Sequence, residues 1–502
     1  MEKTKPFAIS LRTGLSAASS CAPLLGLTAC MVGPKYQHPS APIPAEYKEQ
    51  PPPVSAQASN WNPAQPNDAA ARGKWWEIFN DPQLNGLEDQ VNISNQNVLA
   101  AEAQFRAARD SVRIARSGLF PTVTASPSYT NARASSTLTN VTAGNLTAGA
   151  RNIYDLPVDV SYQADVWGSI RRSVRGSAES AQATAAQMEN VRLAFQSALA
   201  QDYFELHGVD GEQALLEQTV KSYEDYLQLT KDRQASGVAS GADVAQAQTQ
   251  LKTAQAQLID LGVARAQLEH AIAILIGKPP AEVALPSTPI KLEPPNIPAG
   301  IPSDLLQRRP DIASAERQMA AVNEQIGIAR AAYFPEVLLT GTVGFQSVNF
   351  TDWFTWPSRI WSVGPQLAET VFDAGRRRAT SDLAHADFDI SVANYRQTVL
   401  TAFQQVEDNL AALRVLAAEA NAEDDAVKAA QQSLDVSTYQ YKAGVASYLQ
   451  VITAQAFVLQ DRLAAVNIHT RRMAASVLLI EALGGGWNTS SLPTVNRLTH
   501  GK

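Results

Sequence analysis

Cysteine is almost missing from this chain. Cys21 and Cys30 are the only two in 502 residues, and both fall within the first 30. The main body therefore carries neither a disulfide framework nor a cysteine zinc site. Long apolar runs are also missing. No stretch of ~18 apolar residues stands in the body, so no spanning helix is expected, and any insertion into a bilayer must be by β-strands. There is no excess of positive charge. Lys and Arg total 41 against 48 Asp and Glu, a formal net charge of -7, which leaves no basic footprint for nucleic acid. Enzyme signatures are lacking too. Ile272 stands where a phosphate loop ending in Gly277-Lys278 needs its first glycine, and neither His-Glu-x-x-His nor Gly-x-Ser-x-Gly occurs. The six histidines are scattered. The expectation is a chain that is not an enzyme and holds neither a metal nor a dissociable cofactor. What is abundant is Ala and Gln, the composition of long, closely packed helices.

The N-terminus reads as an export address. Lys3, Lys5 and Arg12 precede a modestly apolar stretch that ends Leu27-Thr28-Ala29-Cys30, the order of a secretory signal. Those four residues also have the form of a bacterial lipobox, in which the cysteine is acylated and becomes the first mature residue. Met31 follows, with no Asp to suggest retention at an inner membrane. Residues 1–29 are thus expected to be a signal peptide. Residues 30–82 are expected to be a lipidated, Pro-rich arm running over a surface.

The body is a duplication. Val98, Ala101, Phe105, Ala108, Val112 and Ala115 make a stripe spaced 3,4,3,4,3. Adding 214 to each number gives Ile312, Ala315, Met319, Val322, Ile326 and Ala329 with the same spacing. Both stripes mark one face of a helix, and each helix runs into Phe-Pro (Phe120-Pro121, Phe334-Pro335), where the chain turns extended. Further on the offset is 207: Gly168 matches Gly375, Ser236–Ser240 matches Ala443–Ser447, and Gly277 matches Gly484. Repeat 1 is placed at 83–277, a Pro-rich linker at 278–302, repeat 2 at 303–484 and a tail at 485–502.

After each Phe-Pro come two β-like runs, expected over about 120–130 and 154–166, then 335–346 and 361–372. In 154–166 one face carries Asp155, Asp159, Ser161 and Gln163, and the other Tyr154, Leu156, Val158, Val160 and Tyr162. The later runs set Glu336, Thr340, Thr342 and Gln366 against Val337, Leu339, Val343, Trp361 and Leu367. Polar-apolar alternation over ~10 residues is the pattern of a transmembrane barrel strand, and the smallest such barrels have ~8 strands. Four strands per chain must therefore associate, and three copies supply twelve. Residues 131–153 and 347–360 are read as exposed loops.

Two stretches read as exceptionally long helices. Gly168 to Gln234 and Gly375 to Ala443 contain no proline, and at ~1.5 Å per residue each extends ~100 Å, where ordinary helices have ~11–12 residues. Each turns at Gly237 or Gly444 and returns with heptad stripes such as Val244, Ala247, Leu251, Ala254 and Leu258, or Val451, Ala454 and Val458, as in coiled-coil packing.

These pieces together resemble the TolC-type outer membrane efflux proteins, in the OprM/NodT-like lipoprotein branch that serves RND tripartite systems. The resemblance rests on Leu27–Cys30 followed by Val32-Gly33-Pro34-Lys35-Tyr36, on Trp75-Trp76 with Phe79, and on Arg308-Arg309-Pro310-Asp311-Ile312. To these are added both Phe-Pro junctions, Phe372-Asp373-Ala374-Gly375-Arg376-Arg377 and Tyr441-Lys442-Ala443-Gly444-Val445. It covers about 30–485.

The resemblance implies a mainly α fold with transmembrane β: a trimeric 12-stranded β-barrel continuous with a long periplasmic α-helical barrel. Cys30 would carry diacylglycerol and an N-acyl chain such as palmitate. The partners would be two further copies, outer-membrane lipid, a periplasmic adaptor and an inner-membrane pump of RND type. The function implied is passive export of small molecules such as drugs, with protein or metal-ion export as the alternative within the same fold. A periplasmic adaptor is disfavoured by the duplication and the two-faced strands.

Asp155, Asp159, Gln163, Glu336 and Gln366 are the barrel-lumen candidates. The turn residues Gly237, Val238, Ala239, Gly444, Val445 and Ala446 are the adaptor-docking candidates. For the periplasmic gate, Leu449 matches the family's constricting leucine, and Tyr448 precedes it. The acidic and basic positions that often follow are Thr453 and Ala456 here, so a charged constriction does not carry over. Asp243, by the first-repeat turn, is the remaining acidic candidate. The Arg308–Asp311 cluster reads as a helix start rather than a site.

Overall fold

The computed structural model describes residues 31–49, 74–133, 150–289, 293–297 and 302–500. Cys30 and the signal region lie outside them. The duplication is visible element by element. Helix α2 (Gln96–Ser117) and helix α6 (Pro310–Ala331) have 22 residues each. Helices α3 (Ser169–Ala235) and α7 (Arg376–Lys442) have 67 each, and α4 (Gly241–Leu275) and α8 (Tyr448–Ala482) have 35 each. The short α1 (Pro82–Ser94), α5 (Leu305–Arg308) and α9 (Val495–His500) complete the helices among the described residues. None is long and apolar enough to cross a membrane.

The helices end where the sequence makes them end. Three glycine pairs separated by 207, Gly168/Gly375, Gly237/Gly444 and Gly277/Gly484, all have positive φ, from +72° to +93°. That left-handed backbone is costly for residues bearing a Cβ. At the four helix exits it closes the last turn with a bond that reaches back five residues, as in Val238 N–H to Arg233 O (2.8 Å) and Val445 N–H to Gln440 O (3.0 Å).

The chain divides into two compact units. The first contains residues up to Tyr36, Arg113–Ser177 and Val322–Asp387, and its centre is an antiparallel sheet. Strands β1 (Thr122–Ala125) and β2 (Ser128–Ala132) both pair with β3 (Arg151–Ala164), which pairs with β4 (Glu336–Ser347), which pairs with β5 (Arg359–Ala368). The run expected over 120–130 is thus one strand position in two pieces. The break falls at Ser126-Pro127, opposite Leu156-Pro157 of β3, and two prolines without N–H groups cannot continue the ladder there. Pairing also reaches Ala132 and starts again at Arg151, so strand extends into the expected 131–153 loop at both ends. Strand β5 starts at Arg359 and stops at Ala368, short of the expected 372.

The second unit contains Gln37–Val112, Ala178–Ala321 and the chain from Phe388 onward, and is helical. One core gathers Trp75, Trp76, Phe79, Tyr203 and Phe204, with Phe79 and Phe204 centroids 4.9 Å apart. Here the Arg308–Asp311 cluster finds its role. The side chain of Asn95 donates to Leu275 O at the end of α4 (2.7 Å), and Arg309 donates to Ala482 O at the end of α8 (2.9 Å). Since 95 + 214 = 309, the two repeats cap their returning helices from the same position with different residues. Arg309 is also held by Asp311 at 2.6 Å. The linker is pinned in the same way. Thr288 N–H and the Arg265 guanidinium both donate to Asp210, at 2.9 and 2.8 Å. Burial opposes the charge on Asp210, but the bonds from His207, Thr288 and Arg265 prevail and hold its carboxyl below the usual range.

Candidate functional site: a two-faced sheet and two hairpin tips

Register decides which side chains share a face. Leu156 lies opposite Phe345, Val158 opposite Val343 and Tyr162 opposite Leu339. Val343 lies opposite Trp361, and Val337 opposite Leu367. Val160 lies opposite Val123, and Tyr154 opposite Tyr129. One face is therefore apolar across all four strand positions. It is also bare: Trp361 is 77% exposed, Val363 79% and Leu367 72%. A soluble sheet does not leave such a face open to water.

The other face takes every residue expected to line a lumen. Asp155 is paired with Gln346, Asp159 with Thr342 and Gln163 with Leu338. Glu336 and Gln366 pair with Ala368 and Leu338, which places them on the same side. Thr342 donates to Asp159 at 2.6 Å and Thr340 to Gly364 O at 3.2 Å. Among the described residues, both outer strand positions, β1/β2 and β5, pair along one edge only.

The hairpin tips lie in the helical unit. At the first, Ser240 and Asp243 form a reciprocal capping box at the start of α4: Asp243 N–H donates to Ser240 Oγ and Ser240 N–H to Asp243 Oδ2 (2.9 Å). Val238 at this turn is 63% exposed. At the second, Val445 and Leu449 are exposed, whereas Tyr448 is buried with Tyr223, Leu227, Ala247, Leu251, Tyr441 and Val451. Burial pushes the Tyr448 hydroxyl well above its ordinary pKa.

The tips are tied together. Arg233 lies 4.6 Å from the Tyr441 ring centroid and donates to Lys442 O at 3.2 Å, and the Tyr226 and Thr438 hydroxyls are 2.8 Å apart.

Two of the four gate candidates thus have structural work of their own. Tyr448 is a core residue, because the first turn of α8 points it at the facing hairpin. Asp243 spends its carboxylate on a helix cap. Thr453 donates to Leu449 O on its own helix (2.9 Å). Of these four candidates, Leu449 is the one that is apolar and exposed at the tip. The docking candidates Gly237, Val238, Ala239, Gly444, Val445 and Ala446 all fall in the two turns. The sequence motifs include Tyr441 but not Tyr223, Tyr226 and Arg233, which meet it here. The signal available was the concentration of tyrosines within a few turns of both tips.

A sheet with one lipid-compatible face and one polar face, in a chain with two long helical hairpins, defines an outer-membrane channel protein. The model of the family described as outer membrane efflux protein matches residues 87–278 and 301–485, and the chain belongs to that family. It is 32% identical over 464 residues to the toluene efflux pump outer membrane protein TtgC of Pseudomonas putida, covering 92% of this chain and 93% of that one. It is 31% identical over 481 residues to the outer membrane protein OprJ of Pseudomonas aeruginosa, covering 94% and 96%. Among solved structures, the outer-membrane channel OprN superposes with a TM-score of 0.80 at 28% identity, over 91% of this chain and 100% of that one. The protein is an outer-membrane efflux channel of the TolC type.

Proposed function

We propose that three copies close their sheets edge to edge into one twelve-stranded barrel, and that the channel is a passive conduit. The observation that carries this is the two-faced sheet with two open edges. In hydrocarbon an unpaired strand edge is not tolerated, so the edges must meet other copies. The polar face with Asp155, Asp159, Gln163, Glu336 and Gln366 then lines the water-filled lumen, and the face with Trp361, Val363 and Leu367 meets lipid. The chain performs no chemistry. Energy comes from an inner-membrane pump of RND type, reached through a periplasmic adaptor that docks at the turns holding Gly237 and Gly444. The cargo is small organic molecules, a reading supported by the naming of TtgC as part of a toluene pump. Cys30 carries the lipid anchor, a reading supported by Leu27-Thr28-Ala29-Cys30.

Purified protein in a planar bilayer tests the conduit. Three-fold assemblies with stepwise ionic conductance are expected, and Asp159→Arg should shift the ion selectivity towards anions. Protein that inserts but never conducts, or a selectivity indifferent to charge at Asp155 and Asp159, would overturn it.

A further inference from the structure

The first described residues do not hang free. In the sheet-bearing unit, Val32 N–H donates to Trp167 O at 3.2 Å. The Arg172 guanidinium then donates in three directions: Nε to Val32 O at 2.7 Å, Nη2 to Pro34 O at 3.3 Å and Nη1 to Glu324 at 2.7 Å. Arg172 and Glu324 are buried, with side chains 4% and 2% exposed, and Arg175 approaches the other Glu324 oxygen at 3.5 Å. A planar guanidinium presents such a fork of donors, and an ammonium does not.

The backbone approach is equally close. Gly33 has φ +110°, and a Cβ there would come within 2.7 Å of Gly327 Cα. A Cβ on Gly327 would overlap the Arg172 guanidinium, and one on Gly168 would come within 2.8 Å of Met31 Cγ. Three glycines therefore make room, and one buried ion pair supplies the donors.

The location is specific. Gly168 follows Trp167, which donates from its indole nitrogen to Pro335 O at 2.8 Å and stacks on Phe334 at 4.7 Å. These residues stand where β3 has ended and β4 is about to begin, at the helix-side end of the sheet. An aromatic pair there suits the boundary between hydrocarbon and water. The duplicated counterpart carries different residues at the matching positions. Position 172 + 207 is Ala379, and position 327 − 214 is Arg113. Of the two junctions, the one at Gly168 carries both the arginine and the close-packed glycine that meet the arm.

We propose that Gly168, Arg172, Glu324 and Gly327 form a receptor for the chain's own Met31–Pro34 segment. By gripping that segment it fixes the lipid-bearing end at the membrane boundary of the barrel. The grip stands on the geometry, and its purpose rests on the reading of Cys30 as the anchor. Arg172 is a positioning residue: it holds the arm and has no part in transport.

Hydrogen exchange on the full-length, membrane-extracted channel tests this, followed by mass spectrometry of the peptide from Cys30 to Tyr36. In the parent chain the Val32 amide is expected to be protected. The double variant Arg172→Met with Glu324→Gln removes the donors without leaving a lone buried charge. It should lose protection at Val32 while β3 and β4 stay protected. Gly327→Ala should do the same by pushing the guanidinium aside, and it serves if the double variant does not fold. Fast exchange at Val32 in the parent, or protection retained in a folded variant of either kind, would overturn the proposal. The mass of the same peptide reads acylation independently. An unmodified Cys30 with a protected Val32 would sink the anchor reading and leave the grip in place.

Discussion

The two hairpin tips have the same backbone and different interiors. Each 67-residue helix runs to a glycine near φ +76° and returns as a 35-residue helix. Yet Gly241 of the first repeat answers to Tyr448 of the second, Asp243 to Gln450, and Arg233 to Gln440, all 207 apart. The first tip is closed by polar capping at its own surface. The second inserts a buried ring among residues of both repeats. Duplication therefore conserved the turn, where left-handed geometry permits little else, and diverged where the two hairpins meet. One copy became the contributor of volume and the other the contributor of caps and a cation. An opening motion that parts the hairpins must act on that contact, a shift between packed states of the kind that partner binding biases.

The comparison predicts an order of effects. Tyr448→Ala should be the most damaging, by about 3–5 kcal/mol if the site does not collapse, read as a lower midpoint of thermal unfolding and greater leak through the channel. The same truncation at exposed Leu449 should leave stability within about 0.5 kcal/mol and alter conductance only. Arg233→Ala removes the cation over Tyr441 and a bond to Lys442 O, and should cost about 1–2 kcal/mol. A double-mutant cycle with Tyr441→Leu would show whether the ring is the partner. Asp243→Ala should cost about 1 kcal/mol through the lost cap, while Gln450→Ala, at the equivalent position, should cost nearly nothing.

A separate effect concerns pH. Asp202 has Asn409 as its counterpart. Burial, followed by the charge of Glu205, lifts the Asp202 carboxyl to about 6. An unfolded Asp titrates near ~3.9. The folded chain thus binds this proton more tightly, and the stability it contributes is present below about pH 4 and lost as pH rises through about 6. Asp202→Asn, which makes the first repeat like the second, should flatten the change in unfolding midpoint between pH 4 and pH 7.

Much of this was legible beforehand, because the physics behind it is periodic. Proline-free stretches bounded by Gly168 and Gly237, or Gly375 and Gly444, give their helix lengths to within a residue or two. Alternation in β3 gives its two faces, and pairing confirms them strand by strand. What the pattern did not reveal depends on contacts between distant residues. The split at Ser126-Pro127 needed Pro157 on the facing strand. Tyr448 looked like a tip residue because adjacent Leu449 is one, and only the facing hairpin shows that its ring turns inward. Arg172 is one of several arginines near a helix start, and nothing local marks it as the residue that holds the arm. The Arg308–Asp311 cluster was rightly read as structural, but its role in capping α8 needed the position of Ala482.

The central claim is that a sheet of four strand positions with open edges is one third of a barrel. Electron microscopy of single particles of the full-length protein extracted in detergent tests it most directly. The account predicts a three-fold hollow particle with twelve strands at one end and the helical hairpins arranged around the same axis. Monomers or dimers with no hollow axis, in protein shown to be folded, would contradict it.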